Sequence, residues 1–171
     1  MHATAFNALR PGLVMAMATL LFGLALGVSF GVKEEAFKTW IADGVAAHQE
    51  LHDAKSTDKI WRYVQRAHFH ALGISAFSIG LMLVAGLSTL SLRGKRLAAL
   101  SLGLGNLYPF AWFCMFLLAP SLGRDPAHEA LATKFFAFAG SAGLLAGVGL
   151  ILLHLLMPAR NPALIEEYAK S

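Results

Sequence analysis

Charge is scarce in this chain. Only 14% of its 171 residues are Asp, Glu, Lys or Arg, while 57% are hydrophobic, and a soluble domain of that size could not cover so much apolar surface. Cysteine is nearly absent: Cys114 stands alone, so no internal disulfide can form and no thiol-rich metal motif exists. No run of five or six basic residues occurs, which removes nucleic acid as a partner even though the pI is near 9.5. The chain is too short for two substantial domains, and it carries no internal repeat or low-complexity segment.

Long uncharged stretches are abundant. They run from Gly12 to Val32, Ala67 to Leu92, Leu97 to Gly123 and Phe135 to Ala159, and each is long enough to cross hydrocarbon, which takes about 20 helical residues. The expected fold is all-α: one integral membrane domain with a four-helix bundle, spans near 12–32, 67–91, 97–120 and 135–157, and helical extensions on the outer side. Arg10 before the first run also fits a signal peptide, but the run exceeds a typical cleaved core, so an uncleaved helix is expected.

Orientation follows from the short loops. The turn Leu92 to Arg96 holds Arg93, Lys95 and Arg96 and no acid, which marks it as cytoplasmic. Both termini fall on that side, including the tail with Arg160, Glu166, Glu167 and Lys170. The expected setting is a bacterial inner membrane, with Lys33 to Arg66 outside.

Residues 34–66 are too many for a simple turn and read as an outer helical hairpin. Phe37, Ile41, Val45, His48 and His52 recur at helical spacing, with Trp40, Gly44 and Leu51 beside them. A new helix is expected to start near Asp58, capped by Ser56 or Thr57, and to enter the second span without a break. Asp125 as N-cap, Pro126 at the first position and Glu129 in the first turn predict a similar overhang on the fourth helix. Inside that helix Gly143 and Gly147 form a G-x-x-x-G pair, suited to close packing within the bundle or to a homo-oligomer.

Five of seven histidines, His48, His52, His68, His70 and His128, fall on the outer side. Neutral imidazole is the commonest transition-metal ligand and an axial ligand of haem iron. The expected site is therefore cofactor-binding through His48, His52, His70 and His128, with all five histidines open to a metal ion. The cofactor is a transition metal (copper, zinc or iron) or haem b. His48 and His52, spaced i, i+4, would share a helical face and converge on one ion. Gln49 stands where a zinc peptidase would carry its glutamate, which excludes that activity. His68 and His70 point about 200° apart on a helix, so one is expected inside the bundle and the other toward headgroups. If the hairpin stands upright, His48 is level with Trp61 and meets His128; if it lies on the membrane, His48 or His52 reaches His70. Glu50, Asp125 and Glu129 would support the ligands, and Arg62 or Arg66 would pair with haem propionates. His154 is a membrane depth away from His70.

The third span carries Asn106, Tyr108, Pro109, Trp112, Cys114 and Met115. Pro109 is expected to kink it, and Asn106 to find a partner such as Ser75 or Ser78, either as polar packing or as part of a substrate or quinone pocket. The leading functional reading is a small membrane metalloprotein or b-type cytochrome. An accessory subunit or assembly factor of a larger membrane complex is the second reading, and a small transporter the third.

Overall fold

The computed structural model describes residues 3–157; the tail with Arg160, Glu166, Glu167 and Lys170 lies outside the described residues. All regular structure is helical: α1 (Ala3–Ala47), a single 3-10 turn (Gln49–Leu51), α2 (Ser56–Leu87), α3 (Leu92–Gly105), α4 (Tyr108–Leu122), α5 (Arg124–Glu129) and α6 (Leu131–Leu156). Among the described residues four stretches are long and apolar enough to cross a membrane: Thr4–Ala47, Ser56–Leu87, Leu92–Leu122 and Leu131–Leu156. The chain is a membrane protein built as an all-α bundle.

α1 packs on α2 and α3, α2 on α4, α4 on α6, and α6 back on α3, while α2 and α6 hardly touch. The interior has two halves. At the basic-turn end, Leu9, Ala16, Met82, Ala85, Ala98, Ala99, Leu102 and Ile151 form a core of small and aliphatic side chains. At the hairpin end, Leu26, Ile41, Ile60, Val64, Ala67, Phe116, Ala119 and Ala127 form a second core flanked by Phe22, Phe30, Phe37, Trp61 and Trp112. Small residues bring the backbones together. Gly12 lies directly against the backbone of Ala99 and the thioether of Met82, so three helices meet there with no room for a Cβ.

A polar layer separates the two cores. From the Gly12, Met82 and Ala99 contact, seven residues along each helix, about 10 Å at 1.5 Å per residue, lead to Thr19, Ser75 and Asn106, all buried. The Thr19 hydroxyl donates to the Asn106 carbonyl at 3.2 Å, and the Asn106 amide donates to Leu102 O at 2.8 Å. Ser75 bonds its own helix at Ala71 O. The Asn106 side chain therefore turns to Leu102 O of its own helix rather than to Ser75 or Ser78, while Thr19 of α1 takes its main-chain carbonyl. Asn106 Oδ1 and the Ser78 hydroxyl are buried without a hydrogen bond.

The third span differs from expectation at the same level. It is broken rather than kinked: α3 ends at Gly105, Asn106 and Leu107 form a turn, and Pro109 sits in the first turn of α4. Gly103 and Gly105, poor helix formers packed against Met15 and Leu144, precede the break. Pro109 then opens a new helix, where its missing N–H costs nothing. The fourth overhang is also a separate piece. Gly123 at φ 83° turns the chain, α5 forms from Arg124 to Glu129, and the chain breaks again at Ala130 before α6.

α1 continues past a bend at Lys33 (φ −134°, ψ 24°) to Ala47. Ile41 on this extension is fully buried, and Gly44 rests on Pro120 of α4. Trp61 of α2 meets Phe37 and Lys38, not His48. His48 belongs to the turn after the helix, and that turn crosses to α4 rather than running level with α2.

Candidate functional site

The histidines were expected to converge, and the fold gives each a separate partner. His48 and His52 share no helical face, because α1 ends at Ala47 and a 3-10 turn lies between them. His48 Nδ1 stands 3.9 Å from Glu50. His52 Nε2 donates to Pro120 O at 3.0 Å, tying the turn to the end of α4. His128 Nδ1 donates to Glu129 at 3.2 Å on the exposed α5. Among the described residues no three His, Cys, Asp or Glu side chains stand close enough to hold a metal ion. The cluster foreseen in the sequence is therefore not assembled among the described residues: His52 and His128 turn to Pro120 O and Glu129, and His48 faces Glu50.

His68 and His70 behave differently from that group. Their half-turn separation on α2 points both into the protein, because α2 has α1 on one side and α4 on the other. His68 Nδ1 donates to Gly23 O of α1 at 2.8 Å, and its ring meets the edge of Phe30 at 5.5 Å. Gly27 makes that approach possible: a Cβ there would stand 2.7 Å from the His68 ring. His154, at the far end, shares a hydrogen bond with the Thr89 hydroxyl at 3.2 Å.

His70 faces α4. Its imidazole stacks on the Tyr108 ring at 5.3 Å with 16° between planes, and meets the Trp112 edge at 6.1 Å. Neither ring nitrogen takes a hydrogen bond from the described residues. The half-buried ring lines a groove of about 520 Å³ between α2 and α6, together with Phe69, Gly73, Phe77, Tyr108, Ser141 and Leu145. The groove exists because α2 and α6 hardly touch and Gly73 has nothing within 4 Å of where its Cβ would be. Phe69 (64% exposed) and Leu145 (76% exposed) form its lips. In a bilayer both lips face lipid, so the groove opens sideways.

The polar groups on the groove wall are few: the His70 imidazole, the Tyr108 hydroxyl and the Ser141 hydroxyl. An apolar cleft of a few hundred Å³ with sparse convergent polar atoms is the usual form of a small-molecule site. The sequence placed His70 and Tyr108 among its candidates, on separate grounds. Gly73 and Ser141 gave no signal, since a glycine or serine in an apolar run reads as packing.

Comparison with protein-family models, with curated proteins and with solved structures gave no match.

Proposed function

We propose that this chain is a small integral membrane protein that binds a lipid-soluble redox cofactor, haem b, in the groove between α2 and α6. The observation that carries this reading is His70: an imidazole with neither nitrogen hydrogen-bonded to any of the described residues, lining an apolar groove of about 520 Å³. A histidine near the hydrocarbon boundary is costly to keep without a use. A metal ion held by several side chains does not fit, for want of a ligand set among the described residues. Haem needs less from the protein, namely one axial nitrogen and an apolar slot. His70 would supply the nitrogen, Tyr108 would fix the plane of the imidazole, and Ile74, Phe77 and Leu144 would exclude water. When bound, haem would supply one-electron transfer. His48, His52 and His128 are support for the hairpin end in this reading. That end faces the outside of a bacterial inner membrane, with the Arg93 to Arg96 turn cytoplasmic.

The test is the absorbance spectrum and iron content of protein purified from membranes in mild detergent. We expect a haem band that His70→Ala removes, while His52→Ala and His128→Ala retain it. Gly73→Leu provides an independent check, because a Cβ there has no protein atom within 4 Å and the rest of the side chain would extend into the groove; it should abolish the band with the bundle intact. Wild-type protein without haem after growth with haem supplied, or a band that survives both His70→Ala and Gly73→Leu, would sink the reading.

The broken third span supports a second reading, a small transporter, since transporters often hold solutes at interrupted helices near the midplane. The buried Asn106 Oδ1 and Ser78 hydroxyl lie at that level. Among the described residues the layer holds no charged group, and Thr19, Ser75, Ser78 and Asn106 do not line the His70 groove, so that groove carries more weight.

A further inference from the structure

Arg66 is the last charge on α2 before the second apolar run, one turn from His70 toward the hairpin end. Its guanidinium lies 4.7 Å from the centroid of Trp112, the same indole that meets His70. The side chain is exposed, yet the indole face holds it in place by cation–π attraction. Ion pairs at this end join Lys38 to Glu34 and Glu35, Lys59 and Arg124 to Asp53, and Lys134 to Glu129. Arg66 enters none of them among the described residues. A guanidinium without a counter-charge at the edge of hydrocarbon favours an anion with a planar or tetrahedral array of oxygens, which its fork can grip in two places.

Along α2 the order is cation at Arg66, just outside the groove, then the His70 imidazole and the mostly apolar wall of the groove itself. Arg66 and His70 are four residues apart, about 6 Å along the helix, and the rest of the lining is Phe69, Gly73, Ile74 and Phe77 of α2, Tyr108 of α4 and residues of α6. We infer that the groove selects an acidic amphiphile: a carboxylate or phosphate head held by Arg66 against Trp112, with an apolar body lying past His70. This rests on the reading of the groove as a ligand site but does not require the ligand to be haem. A haem propionate and the head of an acidic lipid present the same chemistry to Arg66.

Two pairs of probes separate the head from the body, with the full chain in phosphatidylcholine nanodiscs. The first is haem b against its dimethyl ester, followed by absorbance. The second is 9,10-dibromostearate against its methyl ester, followed by bromine quenching of Trp112 fluorescence in a chain carrying Trp40→Phe and Trp61→Phe. At least one acid should bind about tenfold more tightly than its ester, the scale of one charge-assisted pair. Arg66→Gln should bring the acid down to the affinity of the ester and leave the ester unchanged, and Arg66→Lys should keep part of the preference. A preference in the haem pair alone assigns the head to the cofactor; a preference in the stearate pair assigns it to a lipid acid. Equal binding of acid and ester in the wild-type chain, or a preference that survives Arg66→Gln, overturns the inference. In that event, esters that bind the wild type but not Gly73→Leu leave the groove itself standing as a site. If no probe binds, both readings fall together.

Discussion

Asp53 shows how one side chain closes the hairpin. Its carboxylate accepts from the Ser56 hydroxyl at 2.9 Å and the Lys55 N–H at 3.0 Å, and it pairs with Lys59 and with Arg124 of α5. The Ser56 hydrogen bond first, then the Lys55 N–H and the Lys59 ammonium, hold its pKa below the ordinary carboxylate value. A carboxyl whose pKa is lower folded than unfolded stabilises the fold above the unfolded value, about 3.9, and that contribution is lost as the pH falls through the folded value. Asp53→Ala should therefore lower the thermal unfolding midpoint in detergent at neutral pH, and the gap from wild type should narrow once the pH drops below the usual carboxylate range. A gap that is constant down to pH 3 would show that ionisation of Asp53 is irrelevant. The sequence offered Ser56 or Thr57 as the cap of a helix starting near Asp58, whereas the helix starts at Ser56 itself, with Lys55 in the cap position. Its bond to Asp53, and the reach of Arg124 across to the same carboxylate, depend on where α5 lands, which no local pattern specifies. The histidines teach the same point: spacing gave their directions on α2, but which direction is interior depended on α2 having neighbours on two sides.

Among the elements, α6 makes the sharpest claim. Gly140, Gly143 and Gly147 face the same chain: a Cβ at Gly143 would stand 2.6 Å from Gly105 N and 2.7 Å from Ser101 O, and one at Gly147 would meet Leu102. Those neighbours are largely backbone and cannot yield. Gly149 has nothing within 4 Å. Gly143→Ala should cost about 1 to 3 kcal/mol by overpacking, whereas Gly149→Ala should stay within about 0.5 kcal/mol; unfolding in mixed micelles of increasing SDS measures both. Equal effects would mean that α6 does not sit on α3 as described. An oligomer built through α6 would use the face that carries Gly149. The four apolar runs, the hairpin stripe as far as Val45 and the Gly143–Gly147 pair were all legible, because each is a periodic or compositional signal within one segment. The break at Asn106 was not. Pro109 alone is compatible with a kink, and the decision came from Gly103 and Gly105 being drawn against Met15 and Leu144, contacts between spans far apart in sequence.

At the scale of the molecule, orientation is open to a direct experiment. The basic turn should be cytoplasmic and the hairpin outside, so cysteines introduced at Asp53 in a Cys114→Ser chain should react with an impermeant thiol reagent in intact cells, and those at Gly94 should not. The reverse pattern would invert the topology and place the groove mouth on the inner leaflet. The two cores also differ in character. The hairpin half is held by interlocking rings such as Phe22 on Phe110 (4.8 Å) and Trp40 on Phe116 (4.9 Å), and the other half by alanines and glycines that admit neighbouring backbones.

The sideways opening between Phe69 and Leu145 also decides which concentration matters. A molecule that enters there is drawn from a two-dimensional solution, so occupancy follows its mole fraction in the bilayer, not its molarity in the buffer. Adding empty lipid at constant protein and ligand would drain the groove by surface dilution, while adding water would leave it filled.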